Sequence, residues 1–264
     1  MKNIHVLGAG HMGGAILRAL KKNQNSSANL RVIETDSQRA RSWQKLGYKV
    51  APKLDELSSE DCVVLAVPPQ QFENALTLNP ALTRHCGPVI SVMAGITHAS
   101  LVRFLGHDAI VRAIPNTPSE VSQGVTMYYA PQSSSSALLE EARQIFDAIG
   151  ISLRVEEEWQ IDTGTALAGG GPALVAYFAE ALQDYGLRSG LDREQAALVA
   201  LQLLSGTTAL IRAQGKTVSQ ICQEVQTPGG TTEHAIGTLA NAGFKGLIGS
   251  ALDSAARRSM QLGQ

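Results

Sequence analysis

This chain has almost no excess of either positive or negative charge. Across 264 residues, 22 Lys and Arg stand against 23 Asp and Glu, a formal net of −1. A balance of that kind steers neither nucleic acid nor an anionic membrane, so neither is expected as a partner. Cysteine is scarce as well. Cys62, Cys86 and Cys222 are an odd set with no CxxC spacing. That excludes a disulfide framework and suits a reduced, cytoplasmic protein. The six histidines are scattered, none at the spacing of a zinc-binding helix, so no metal is expected. No apolar run approaches the roughly 20 residues of a membrane span. Lys2 is followed at once by a strand-like stretch and a Gly-rich turn, without the cleavage site of a signal peptide. Aromatic residues make up 5% and no internal repeat is visible.

What is present divides into two halves with different grammar. Over residues 1–156, short runs rich in Val and Ile (IHVLG, LRVIE, CVVLAV, PVISVM, AIVRAI) alternate with amphipathic stretches such as AILRALKKN and QRARSWQKLG. Such alternation predicts a mostly parallel sheet with helices on both faces, a doubly wound α/β domain. GVTMYYA and ISLRVEEE read as later strands, with ALLEEARQIFDAIG as the helix between them. Over residues 157–264 the apolar spacing becomes helical, in GPALVAYFAEALQDYGL, DREQAALVALQLLSGTTALIRAQG and GFKGLIGSALDSAARRSMQLG. Asp192 with Gln195 three residues on predicts an N-cap. These helices are apolar over a wider arc than one small bundle needs, and a homodimer would bury the excess.

IHVLGAGHMGGAIL carries Gly8, Gly10 and Gly13 in G-x-G-x-x-G spacing. The motif follows a strand and opens a helix, the context that makes it informative for a dinucleotide. One glycine allows the tight turn, one lets backbone approach a pyrophosphate, and one allows close packing of helix on strand. Ala9, His11 and Met12 fill the same turn. The bland alternative is a tight turn with no ligand. Glu34 ends the second strand a little over 20 residues on. There it either accepts from the adenosine ribose hydroxyls, which favours NADH over NADPH, or is simply solvated. Arg39 and Arg41 fall in the helix that follows. Ala66, Val67 and Pro68 close another strand and offer backbone to a cofactor. Asn116, set between Pro115 and Pro118 in AIPNTP, either contacts cofactor or substrate or caps the turn.

Late in the chain, VQTPGGTTEHAI interrupts the helices. It reads as a connector with a Thr cap, or as an anion site built from backbone at a helix start. GGGPALV, with Pro172 at a helix start, allows close approach of cofactor or partner helix, or plain tight packing. Glu233 and His234 receive no role. Trp159 and Tyr177 are expected in the core or at a dimer contact.

With AVPPQ, RAIPNTP, GGGPA and TPGGTT following the nucleotide turn in order, the chain resembles pyrroline-5-carboxylate reductase nearly end to end. That resemblance implies reduction of Δ1-pyrroline-5-carboxylate to L-proline with NADPH or NADH. It also implies an N-terminal Rossmann domain, a C-terminal helical domain interlocked in a homodimer, and assembly on into decamers. It departs from the family at Pro68, where Lys is usual, and at Ala168 and Gly170, where two serines are usual. Cys222 and Gln223 stand in place of Lys and Asp. These departures keep two alternatives in view: a non-catalytic dinucleotide-binding paralogue, or a reductase of a related cyclic imine. A β-hydroxyacid dehydrogenase is disfavoured, because the only lysines after residue 150 are Lys216 and Lys245.

Imine reduction asks for a flat C=N held against a hydride donor, with the substrate carboxylate as the handle. The TPGGTT turn suits that carboxylate. Gly229 and Gly230 allow close backbone approach, and the amides of Gly230, Thr231 and Thr232 would begin the next helix. The hydroxyls of Thr227 and Thr232 add donors. By the resemblance, Thr232 also reaches the reacting nitrogen.

Overall fold

In a computed structural model describing residues 3–22 and 29–262, the first half builds one eight-stranded sheet. Its strands are β1 (Asn3–Leu7), β2 (Asn29–Ile33), β3 (Lys49–Ala51), β4 (Cys62–Leu65), β5 (Val89–Ser91), β6 (Ile110–Ile114), β7 (Gly124–Tyr129) and β8 (Gly150–Arg154). They lie in the order β3-β2-β1-β4-β5-β6-β7-β8. Every neighbouring pair is parallel except β6 with β7. The three-residue edge strand β3 is the one strand the sequence pattern did not reveal; a run that short shows no period to read.

Helices α1 (His11–Lys22), α2 (Ser37–Lys45), α3 (Phe72–Leu78), α4 (His98–Leu105) and α5 (Ser136–Ile149) join the strands. The central strands β1, β4, β5 and β6 are buried on both faces, which is why they read as nearly unbroken apolar runs. Ile4 and Val6 of β1 pack with Ile16 and Leu17 of α1 and Phe146 of α5. Leu7, alternating to the other face, packs with Val63, Leu65, Phe72 and Leu101. The chain runs outward from β1 through β2 and β3, then returns to β4 on the other side of β1. That reversal opens a crevice beyond the carboxyl ends of β1 and β4, the usual ligand position in such sheets.

The rest of the chain is helical: α6 (Gln160–Gly164), a π-helical turn (Thr165–Gly169), α7 (Gly171–Arg188), α8 (Arg193–Gln214), α9 (Val218–Glu224), α10 (Thr231–Asn241) and α11 (Phe244–Leu262). Asp192 caps α8 in the expected capping box with Gln195. Two compact units result, residues 1–172 with 254–264, and residues 173–253.

The second unit has little interior of its own. Ala179, Ala196, Ala200 and Ile221 are its buried hydrophobics among the described residues. Leu198, Leu201 and Leu247 are each more than 60% exposed, and Tyr177 is 74% exposed. Trp159, in the first unit, is 64% exposed, so neither it nor Tyr177 belongs to the core of a single chain. Helix α8 corrects one expectation. Its 22 residues are long and apolar enough, by length and composition, to cross a membrane. Two of the hydroxyls that interrupt the run in sequence fold back onto the helix: Ser205 donates to the Leu201 carbonyl and Thr208 to that of Leu204.

Candidate active site

The first unit holds the nucleotide features. Gly8 leaves β1 with its N–H donating to the Ile33 carbonyl at 2.9 Å. Its φ of +92° places it in the left-handed region, and a Cβ there would lie 2.8 Å from the Ala66 carbonyl oxygen. Only glycine serves. A Cβ on Gly13 would collide with the Gly8 carbonyl, so close helix–strand packing excludes any side chain there. Around Gly10, by contrast, nothing lies within 4 Å of a Cβ position. Gly10 and His11 are exposed and Met12 half-buried, at the start of α1, where free N–H groups and the helix dipole favour an anion. The three glycines thus divide into two needed by packing and one that leaves space for a ligand, so the turn fits a pyrophosphate.

Glu34 sits just past β2 and is 6% exposed. Its carboxylate accepts from the Ala9 N–H (3.2 Å), the Asp36 N–H (2.8 Å) and the Arg39 guanidinium (3.1 and 3.2 Å). Burial alone would raise this carboxyl, but the Arg39 bonds and the two backbone donors outweigh it and hold the group below its ordinary range. All four acceptor positions of the carboxylate are therefore engaged. Glu34 and Arg39 line a cavity of about 80 Å³ with Gly8, Val67, Pro68 and Asn74. The spacing reading underweighted Arg39. It does lie on α2, but one turn of helix brings its side chain back over the strand end.

Ala66 and Val67 continue β4, and the Ala66 N–H donates to the Leu7 carbonyl at 2.8 Å. Pro68 opens a 3-10 turn at Pro69–Gln71. Asn116, 7% exposed, uses both ends of its side chain on backbone. Its carbonyl accepts from the Val125 N–H (2.9 Å) and its amide donates to the Ala168 carbonyl (3.1 Å). It ties the end of β6 to β7 and to the π-helical turn, where the Gly170 N–H reaches back to Thr165 at 3.0 Å. Such π turns frequently mark functional sites.

A second feature escaped the sequence reading. Arg112, 1% exposed in the middle of β6, pairs with Glu158 at 2.8 Å and with Asp162 at 3.0 Å. Glu158 also accepts from the His98 N–H, and Asp162 from the Ser259 hydroxyl. An arginine inside the apolar run AIVRAI was the available signal, since a buried charge needs a partner.

The second unit holds the TPGGTT turn. The Gly230 N–H closes it onto the Thr227 carbonyl at 2.8 Å. A Cβ on Gly230 would overlap the Thr227 hydroxyl, and Gly229 has φ +71°. Gly230 is the N-cap of α10 and has no side-chain cap bond. Of the three amides singled out by sequence, Gly230's is thus engaged within the turn. Those of Thr231 and Thr232 donate to nothing among the described residues. The Gly229 N–H, not singled out, donates to the Glu233 carboxylate at 2.6 Å. Among the described residues no group of three or more His, Cys, Asp or Glu is arranged to hold a metal ion.

Comparison with known proteins bears on both units. Residues 158–262 match the family described as pyrroline-5-carboxylate reductase dimerisation, and residues 3–95 match NADP oxidoreductase coenzyme F420-dependent. The Pseudomonas aeruginosa pyrroline-5-carboxylate reductase is 34% identical, covering 99% of this chain and 97% of its own. The Glycine max enzyme of the same name is also 34% identical, over 97% and 94%. A Coxiella burnetii pyrroline-5-carboxylate reductase structure superposes with a TM-score of 0.88 at 31% identity, covering 100% and 99%. A Plasmodium falciparum pyrroline carboxylate reductase with NADP bound does so with 0.84 at 26%, covering 100% and 98%. A glycine turn that leaves room for a dinucleotide, a helix start with free amides, and relatives matched along the whole length agree: the chain belongs to the pyrroline-5-carboxylate reductase family.

Proposed function

We propose that this protein reduces Δ1-pyrroline-5-carboxylate to L-proline with NAD(P)H. The observation that carries the reading is the α10 turn, where free Thr231 and Thr232 amides and two threonine hydroxyls gather at a helix start. That is a seat for a small carboxylate. NAD(P)H, when bound, supplies the hydride. The chain's own task is to hold the C=N carbon at near-attack distance, about 3–3.5 Å. Thr227, Thr231 and Thr232 supply donors to the carboxylate, and Gly229 and Gly230 let the backbone approach it. The Thr232 hydroxyl faces the ring nitrogen, which binds already protonated from solvent; it accepts from that iminium N–H, and from the product amine once hydride has neutralised the charge. A hydroxyl does this without having to act as an acid. The relatives' names favour this reading over a non-catalytic paralogue.

In the cofactor site, Gly8, Ala9, Gly10, His11, Met12 and Gly13 carry the pyrophosphate, and Ala66, Val67 and Pro68 offer backbone to the cofactor, the last two from the cavity that Glu34 also lines. Asn116 acts by holding the π-helical turn in place. Ribose hydroxyls reach Glu34 by displacing Arg39 from it. Glu34 repels a 2′-phosphate, and the released Arg39 attracts one, so both cofactors are used and NADH is preferred. Glu34→Ser should move the ratio of kcat/KM values toward NADPH by about tenfold, the scale of one like-charge contact. An unchanged ratio would make Glu34 a bystander. Absence of NAD(P)H oxidation on adding the imine would sink the enzymatic reading.

Residues 1–156 are assigned to cofactor binding and residues 157–264 to substrate binding and dimerisation. The apolar face of α8 packs on a second copy rather than on lipid, and dimers assemble further into decamers in the cytoplasm. Light scattering should show no monomer for the full chain. Leu201→Glu, which puts a charge on that face, should lower the mass; a monomeric parent protein would end the idea.

A further inference from the structure

The α10 turn contains its own anion. Glu233 lies in the first turn of α10, and its carboxylate accepts from the Gly229 N–H at 2.6 Å. Gly229 precedes the cap residue Gly230, whose N–H is committed to Thr227. The free donors of the turn, Thr231 and Thr232, are the two residues immediately before Glu233. So one of the backbone donors in the proposed carboxylate seat is already occupied by a carboxylate of the same chain. The helix dipole holds it there, since negative charge is favoured in a first turn. The sequence around it supplies no compensating cation: from Val225 to Ile236 no Lys or Arg occurs.

We propose that Glu233 is a specificity-determining residue that competes with the substrate's carboxylate for this seat. The inference rests on the reading of the α10 turn as that seat. An incoming carboxylate meets a donor already taken and a like charge within one helical turn. It gains the Gly229 N–H only when Glu233 rotates off it. A ligand that carries a cation beside its carboxylate offsets the Glu233 charge, whereas one that is purely anionic does not. The site therefore selects the protonated, zwitterionic form of a cyclic imine carboxylate, or the zwitterionic product, over simple ring carboxylates of the same shape.

The test uses full-length protein and Glu233→Gln, which keeps an acceptor for the Gly229 N–H and removes only the charge. Two quantities are read: KM for pyrroline-5-carboxylate, and the Kd of cyclopentanecarboxylate by titration calorimetry, which needs no turnover. KM should fall by about fivefold and the Kd of the nitrogen-free carboxylate by about tenfold, the scale of one like charge a few ångströms away. The Kd for NAD(P)H is the control and should not move. If KM and Kd are unchanged or rise in Glu233→Gln, Glu233 is a helix cap and nothing more, and the proposal fails. Thr232→Ala run in parallel separates the two readings. If it weakens cyclopentanecarboxylate while Glu233→Gln does nothing, the seat stands and only the competition is lost. If neither change alters carboxylate binding, the seat itself is misplaced and the proposal falls with it.

Discussion

Gly230→Ala is expected to lower kcat/KM for pyrroline-5-carboxylate about 100-fold while leaving the Kd for NAD(P)H unchanged. The scale is that of a displacement of about 1 Å in a substrate-positioning group. The cause is local. A Cβ at this position overlaps the Thr227 hydroxyl and lies 2.9 Å from the Thr227 carbonyl oxygen. That carbonyl is the one the Gly230 N–H uses to close the turn. The methyl group cannot be accommodated by rotating Thr227 alone, because the second contact is with backbone. The turn must open, and the free amides of Thr231 and Thr232 lose their common direction. Thr232→Ala removes a single hydroxyl and leaves the turn closed, so its loss should be smaller, about tenfold, the worth of one hydrogen bond in the site. Steady-state kinetics paired with cofactor titration checks both. Loss of NAD(P)H binding in either variant would refute the assignment of this turn to the substrate.

Arg112→Met is expected to cost about 3 kcal/mol of stability, the lower end of the range for breaking a buried ion pair on one side. The lower end applies because Glu158 and Asp162 keep side-chain exposures of 27% and 21%, so water can partly replace the lost guanidinium. For a chain of this size that corresponds to roughly 6–12 °C in Tm. The effect follows from what the arginine joins: β6, the start of α4 through the His98 N–H, α6, and Ser259 near the end of α11. The triple variant Arg112→Met, Glu158→Gln, Asp162→Asn should recover much of the loss, because it leaves no uncompensated charge behind. A calorimetric Tm within about 2 °C of the parent for Arg112→Met would show the network to be dispensable.

Several parts of this molecule were legible before any fold was drawn. Short apolar runs rich in Val and Ile, IHVLG and CVVLAV, became buried parallel strands, and the change of grammar near residue 157 became a change from sheet to helix. The roles of Gly8 and Gly13 followed from spacing because both are set by sterics within one strand–turn–helix unit. Asp192 and Gln195 formed their capping box because both partners lie within a single turn. Each of these depends on residues a few positions apart, where chain geometry leaves few choices.

What sequence alone did not decide depends on side chains meeting across distance or on sums over a whole surface. Glu34 and Arg39 are five residues apart, yet their bond depends on α2 turning its first residues back over β2, and it fills the acceptor that ribose was expected to find. Arg112 meets its carboxylates 46 and 50 residues away. Asn116 reads in sequence either as a polar group offered to a ligand or as a turn cap, and its bonds to Val125 and Ala168 exist only because β7 and the π-helical turn converge on it. Glu233 receives no role from sequence, because its bond to the Gly229 N–H exists only once the turn has closed. The sequence by itself determined the two-part architecture and the positions of the two turns, because local sterics and hydrophobic period act on near neighbours. Only the tertiary structure decided which donors and charges in those turns are free, because that depends on every other group folded against them.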